Sequence, residues 1–177
     1  TTAPEFSLNN TLAKIKGEKL PNAEIKTING MPSMFINEKL VFPMFGKGLQ
    51  LDRKFVNEYS QNGIHLYIPS WPYVGLLPGN KYDYSELDAY ALTVLSADPD
   101  AYMMFFVTLN ASDFWNKQNS DELCVFSDGT KFRQSLASSK WKEEYGTALE
   151  KFIEHIEKSP YGKRVFGLIP EATLSEW

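Results

Sequence analysis

The stretch Ala101-Tyr102-Met103-Met104-Phe105-Phe106-Val107-Thr108-Leu109 (AYMMFFVTL) decides how this 177-residue chain is read. It is nearly continuous in apolar character, and Asp98-Pro99-Asp100 breaks whatever precedes it. A half-exposed antiparallel strand alternates apolar with polar residues, whereas a parallel strand buried on both faces reads as an unbroken run. Residues 101–109 are therefore expected to form a buried parallel strand.

The segments on either side alternate between strand and helix. Upstream, Ser85-Glu86-Leu87-Asp88 has the form of a capping box, and Leu87, Tyr90, Ala91 and Val94 recur at helical spacing. Before it, Ile64-His65-Leu66-Tyr67-Ile68 reads as a short strand, after which Pro69 and Trp71-Pro72 open a long loop. Further back, Asp52 caps a helix carrying Phe55, Val56 and Tyr59, which Asn62-Gly63 stops. Downstream, a long loop over 110–137 holds Phe114-Trp115 and the Asp128-Gly129 turn. Ser138 caps the longest helix, whose stripe of Trp141, Tyr145, Ala148, Leu149, Phe152, Ile153 and Ile156 fits a 3.6-residue period. Ser159-Pro160-Tyr161-Gly162 ends that helix, and Val165-Phe166-Gly167-Leu168-Ile169 is the last strand.

The N-terminal part differs in character. Residues 1–24 are polar and weakly patterned, so 1–30 read as an arm or an edge strand, with a turn at Asn29-Gly30. Met34-Phe35-Ile36 and Leu40-Val41-Phe42 flank Asn37-Glu38-Lys39 as a hairpin, and its second arm runs on to Gly46 and Gly48.

From the hairpin onward the order is β-α-β-α-β-α-β, which implies a parallel sheet with right-handed crossovers. Either an open doubly wound sheet or part of a (β/α)8 barrel satisfies it. The loops tilt the choice. Those after the strands are long and carry Trp71, Tyr73, Phe114, Trp115 and Trp177; those before the strands are tight, as at Asn62-Gly63 and Asp98-Pro99-Asp100. A barrel enzyme builds its site at the carboxyl ends of its strands and shows this asymmetry. The expected fold is therefore α/β: parallel β/α units over 31–177 forming the first half of a TIM-type (β/α)8 barrel, with an N-terminal β-hairpin.

Composition removes several function classes. The net charge is −4 with no basic stripe, which argues against a nucleic-acid partner. Gly46-Lys47-Gly48 lacks the third glycine and the helix start of a dinucleotide fingerprint, and no Walker-type loop occurs, so no cofactor is expected. The single cysteine, Cys124, excludes an internal disulfide, and no metal site is indicated. No run of about 18 apolar residues exists, so no membrane span is expected. Thr1-Thr2-Ala3-Pro4 looks like a trimmed start, compatible with a secreted or periplasmic protein whose leader has been removed. Aromatics reach 14%, a load that fills cores and that also lines carbohydrate pockets.

Three segments carry a family resemblance. INEKLVFPMFG (Ile36 to Gly46) resembles the hairpin leading into the first barrel strand of clan A glycoside hydrolases. FVNEYSQNGIHLYIPSW (Phe55 to Trp71) is similar to their helix followed by Gly-Ile-Asn and an apolar strand. SPYGKRVFGLIPEATLSEW (Ser159 to Trp177) looks like the approach to the fourth strand in β-galactosidase-like, family 42-like members, where a glutamate followed by an aromatic comes next. The resemblance covers about residues 31 to 177, and order and spacing are more specific than any one motif. Many clan A enzymes place an Asn-Glu pair at the end of this strand; here neither Glu171 nor Glu176 follows an asparagine. The resemblance puts the nucleophile near the seventh strand, beyond these four.

It implies a glycoside hydrolase fragment acting on a β-linked oligosaccharide or polysaccharide, with Glu176 beside Trp177 as first choice for the acid/base and Glu171 as second. Such chemistry needs one carboxyl kept protonated, which burial beside apolar rings achieves. Trp71, Tyr73, Phe114, Trp115 and Trp177 are candidates to stack on sugar faces, and Asn110 and Asp113 to bond hydroxyls. Each polar group serves equally well as a turn cap. His65 is expected at the strands' amino end and His155 on the surface of the long helix. Two alternatives stand: a carbohydrate-binding barrel-like domain without catalysis, and an unrelated flavodoxin-like ligand-binding domain. Four β/α units leave an apolar inner face, so the rest of the barrel is expected from the same full-length chain or from a second copy, and the fragment alone is expected to be inactive.

Overall fold

A computed structural model of the chain describes residues 8–48, 52–69 and 72–172. The apolar run becomes the strand β8 (Tyr102–Thr108), and it belongs to a four-stranded sheet with β4 (Phe45–Lys47), β5 (Leu66–Ile68) and β11 (Val165–Glu171). All three pairings are parallel and the strand order follows the chain: β4, β5, β8, β11. Between them run α2 (Arg53–Gln61), α3 (Ser85–Ala97) and α5 (Ser139–Lys158).

The helices share one face of this sheet. Val56 of α2, Leu87, Ala91, Val94 and Leu95 of α3, and Ala148, Phe152 and Ile156 of α5 form one buried cluster with Met103, Phe105 and Val107 of β8. Sequential order with right-handed crossovers requires this, since every connection then returns on the same side. The other face of β8 carries Tyr102, Met104, Phe106 and Thr108, all only half-buried. Here the structure departs from the expectation of a strand buried on both sides: the run is apolar on both faces, but helices cover one.

The face that no described helix covers is concave. Phe45 and Phe166 stand on opposite edge strands, yet their rings stack with centroids 6.3 Å apart. Strands spaced roughly 4.8 Å apart would hold those edges about 14 Å from each other in a flat sheet. Lys47 likewise crosses from β4 to lie over the Phe106 ring of β8 at 5.0 Å. Leu66 and Ile68 are buried on this face. No closed barrel forms among the described residues.

The N-terminal segment is more structured than an arm. Residues Leu8–Lys16 form helix α1, where the sequence suggests an arm or edge strand. Leu8, Leu12 and Ile15 sit four and three residues apart on one face and pack on the core. Three apolar residues in a polar stretch are a weak signal, and it is contact with α3 that gives the helix its partner. Glu18 after it accepts from the buried Arg164 at 2.7 Å. A three-stranded meander follows: β1 (Ala23–Ile28), β2 (Met31–Ile36) and β3 (Lys39–Val41). Its turns are Asn29-Gly30 and Asn37-Glu38, each with both residues at positive φ, the geometry that matches strand twist. Asn37 Nδ2 donates to Tyr102 Oη at 3.2 Å, docking the meander at the amino end of β8.

Two local readings need correction. Ser85 does not cap its helix; it is the first helical residue, and its N–H donates to Asp83 Oδ1 at 2.9 Å. Asp88, expected to complete the box, faces α5 and the turn after it instead, where it bonds His155 Nε2 (2.7 Å) and the Tyr161 hydroxyl. The stretch 110–137 is not only loop: it holds α4 (Asp113–Gln118) and the hairpin β9 (Leu123–Val125) and β10 (Lys131–Gln134).

At the amino end of the sheet, Asp98 is 2% exposed and fully engaged. Its carboxylate meets His65 Nδ1 (2.8 Å), the Tyr67 hydroxyl (2.9 Å) and the Asp100 N–H (3.0 Å). Replacing it by alanine removes three hydrogen bonds to a buried carboxylate, so Asp98→Ala should cost about 2–3 kcal/mol in urea unfolding. Burial also raises the hydroxyl pKa of Tyr67, Tyr145 and Tyr161, and pushes that of Tyr84 up to about 12. Unfolded tyrosine ionises near pH 10, so above that pH the unfolded chain loses protons first and stability falls. The tyrosinate absorbance of these four residues should therefore rise in one cooperative step on alkaline unfolding rather than by independent titration.

Candidate functional site

The loops leaving the carboxyl ends of β5 and β8 build a cavity. After β5 the chain runs beside β8: Thr108 N–H donates to Pro72 O at 2.9 Å, and Tyr73 forms a parallel bridge with Thr108. It then turns at Gly75, whose φ of +76° suits glycine and whose missing Cβ would lie 2.6 Å from Asp83 O. The small hairpin β6 (Leu76–Leu77) and β7 (Lys81–Tyr82) returns it, closed by Asp83 N–H on Gly75 O at 3.0 Å.

The loop after β8 is pinned from beneath. Trp141 Nε1 of α5 donates to Leu109 O at 3.0 Å, and Ser112 N–H donates to Tyr145 Oη at 2.9 Å. Gln134, 0% exposed, accepts from Ala111 N–H (3.0 Å) and donates to Asn110 Oδ1 (3.1 Å). Ser112 caps α4 by accepting from Trp115 N–H. These bonds fix Asn110 and the start of α4 relative to the sheet.

Between the two loops lies a cavity of about 610 Å³. Tyr73, Asn110, Asp113 and Phe114, four of the residues singled out in the sequence, line it together with Tyr84, Asn116 and Arg133. Tyr73 is 64% and Phe114 43% exposed, so both present ring surface. Two polar atoms on lining residues, Tyr84 Oη and Asn116 Oδ1, are buried without a hydrogen-bond partner among the described residues. Burial pushes the Tyr84 hydroxyl above the ordinary tyrosine range, so it is neutral at ordinary pH. Asp83 is held below the usual carboxylate range by the Ser85 N–H and stays ionised.

The remaining candidates fall elsewhere. Trp115 is 5% exposed, edge-on to Tyr145, and its indole N–H donates to Glu144; the ring is packing, not a free stacking surface. It does line a second hollow of about 420 Å³ that shares Phe114 with the first. Glu171 ends β11 in register with Thr108. Parallel partners point to the same side, so Tyr73, Thr108 and Glu171 form a row at the carboxyl edge of the concave face. Trp71, Glu176 and Trp177 lie outside the described residues. His65 sits at the opposite end of the sheet with Asp98, while His155, expected on the surface, is partly covered by Tyr84, whose ring stacks on it at 4.3 Å. No group of three or more His, Cys, Asp or Glu able to hold a metal occurs among the described residues.

Sequence reasoning missed Tyr84, Asn116 and Gln134. Each is an isolated polar or aromatic residue, Tyr84 just before α3, Asn116 within α4 and Gln134 at the end of β10, with no spacing to mark it. Comparison with family models, curated proteins and solved structures returns no significant match. Gln134→Leu keeps the bulk but strands the buried Ala111 N–H, so it should destabilise the protein by about 1–3 kcal/mol in a denaturant titration.

Proposed function

We propose that this chain contributes the carbohydrate-binding half of a glycoside hydrolase, its four β/α units being the first half of a (β/α)8 barrel. The observation that carries the binding reading is the cavity at the strands' carboxyl ends. It sets two exposed rings, Tyr73 and Phe114, beside the polar side chains of Asn110, Asp113 and Arg133. A sugar offers flat C–H faces for the rings and hydroxyls that both accept and donate. Supporting the barrel are the sequential strand order, the helices on a single face and the Phe45–Phe166 contact across the concave side. A doubly wound sheet would carry helices on both faces.

Catalysis would need two carboxyl groups flanking the glycosidic oxygen, roughly 5–5.5 Å apart for retention or 6.5–9.5 Å for inversion. Glu171, on the concave face at a strand's carboxyl end, and Glu176, beside Trp177, are the proposed alternatives for the acid/base. The partner carboxylate would come from strands beyond these four. In the full-length protein, Glu171→Gln with Glu176→Gln should cut hydrolysis of aryl β-glycosides at least about 10²-fold. Undiminished turnover would sink the catalytic assignment.

One observation favours the reading of binding without cleavage: Tyr73 belongs to the cavity lining, whereas Glu171 does not. The two readings separate in a titration with β-linked oligosaccharides. Tyr73→Ala and Phe114→Ala should each weaken binding about tenfold, the scale of one lost aromatic contact. If binding alone is the function, affinity survives the double glutamate substitution and no turnover is found.

A further inference from the structure

The strand β1 carries the sequence Ala23-Glu24-Ile25-Lys26-Thr27-Ile28 and forms one margin of the three-stranded meander. Among the described residues only β2 pairs with it. Its burial is slight throughout, and Ile25 is 69% exposed. An edge of this kind is normally protected by proline, by a bulge or by an unmatched charge. No proline lies within β1, its pairing with β2 is regular over all six residues, and one lysine is its sole cation.

The ladder to β2 decides which groups face outward. Asn37 N–H donates to Asn22 O at 2.9 Å, and the register continues as Glu24↔Phe35, Lys26↔Ser33 and Ile28↔Met31. Even-numbered residues therefore turn their N–H and C=O groups toward β2, and Ala23, Ile25 and Thr27 turn theirs away. A second copy of the same strand, laid antiparallel about a two-fold axis, must pair these odd residues with one another. Three registers centred on the strand do so. Centring on Glu24 sets Glu24 against its own copy, and centring on Lys26 sets Lys26 against its own copy. Centring on Ile25 pairs Ala23 with Thr27 of the second copy and Ile25 with its counterpart, and places Glu24 opposite Lys26 twice.

In that third register Glu24 and Lys26 occupy the non-hydrogen-bonded positions, where opposing side chains approach most closely. The two residues already share one face, their side chains 3.2 Å apart within the chain, so the dimer joins four alternating charges into one network. The single lysine that would otherwise guard the edge is thereby matched. From this geometry we infer that β1 is a homodimerisation edge: two copies of the chain pair antiparallel through β1, centred on Ile25, to make a six-stranded sheet. This surface is distinct from the concave face of the parallel sheet and independent of the carbohydrate reading.

The contact is small beside a standard interface, so the dimer should be reversible, and sedimentation velocity from about 1 µM to about 500 µM covers its range. Wild-type protein is expected to shift from monomer to dimer with concentration. Lys26→Glu and Glu24→Lys each convert both symmetric pairs into repulsive ones and should weaken association at least about tenfold. The double exchange, Glu24→Lys with Lys26→Glu, restores the alternation and should restore the dimer. Ile25→Pro removes an outward N–H that the β1–β2 ladder does not use, so it should abolish dimerisation while leaving the circular dichroism spectrum and the unfolding midpoint unchanged. A monomer at every concentration overturns the proposal. So does a dimer indifferent to all four variants, which would point to the concave face instead.

Discussion

The contact between Phe45 and Phe166 is the constraint on which the shape of this protein depends. It joins the first and last strands of the parallel sheet across the face that no described helix covers. A sheet whose helices all lie on one side has apolar residues on both faces but only one external cover. Curling lets the second face bury part of itself, as Leu66 and Ile68 do beneath the converging side chains. The strong apolar demand of Met104, Phe106, Phe45 and Phe166 is thus met by curvature rather than by a second layer of helices.

Curvature in turn sorts the two ends of the sheet into different tasks. At the amino end most polar groups are consumed internally, Arg164 Nε being an exception among the described residues. Asp98 ties His65 and Tyr67 together, and Arg164 bonds Glu18 while lying over the Tyr102 ring at 5.0 Å. At the carboxyl end the loops are longer and held apart, and polar groups line open space. The helix α5 connects these roles. Its Phe152 and Ile156 fill the core, while Trp141 and Tyr145 near its start hold the loop after β8 in place. A cavity built this way rests on rigid elements even though its lining belongs to loops, which is what orientation of a bound ligand requires.

The places where sequence reasoning failed share a cause. Helix α1 was hidden because three apolar residues among polar ones do not form a pattern; they matter only once α3 offers a surface. The Ser85 capping box has the right letters, but Asp83 lies closer to the free N–H, and Asp88 finds His155 and Tyr161 across a 67- and a 73-residue separation. Trp115 looks like a surface aromatic in a loop, yet the preceding Ser112 cap starts a short helix that turns the ring inward against Tyr145. In each case a local signal competed with a distant partner, and the partner supplied the larger burial or the stronger bond.

By itself the sequence determined the alternation of strands and helices, the parallel pairing implied by an unbroken apolar run, the turn at Asn29-Gly30, a hairpin turning within Asn37-Glu38-Lys39, and the placement of Tyr73, Asn110, Asp113 and Phe114 in loops after two of the strands. These rest on short-range periodicity and on the backbone preferences of single residues, both legible along one dimension. Only the tertiary structure decided that the helices share one face and that the sheet curls until its edge phenylalanines touch. It also decided that Gln134 reaches back to hold Asn110, and that Tyr84 and Asn116 come to line the cavity. Those facts depend on pairs of residues far apart in the chain, whose meeting is set by the sum of burial and hydrogen bonding over the whole fold.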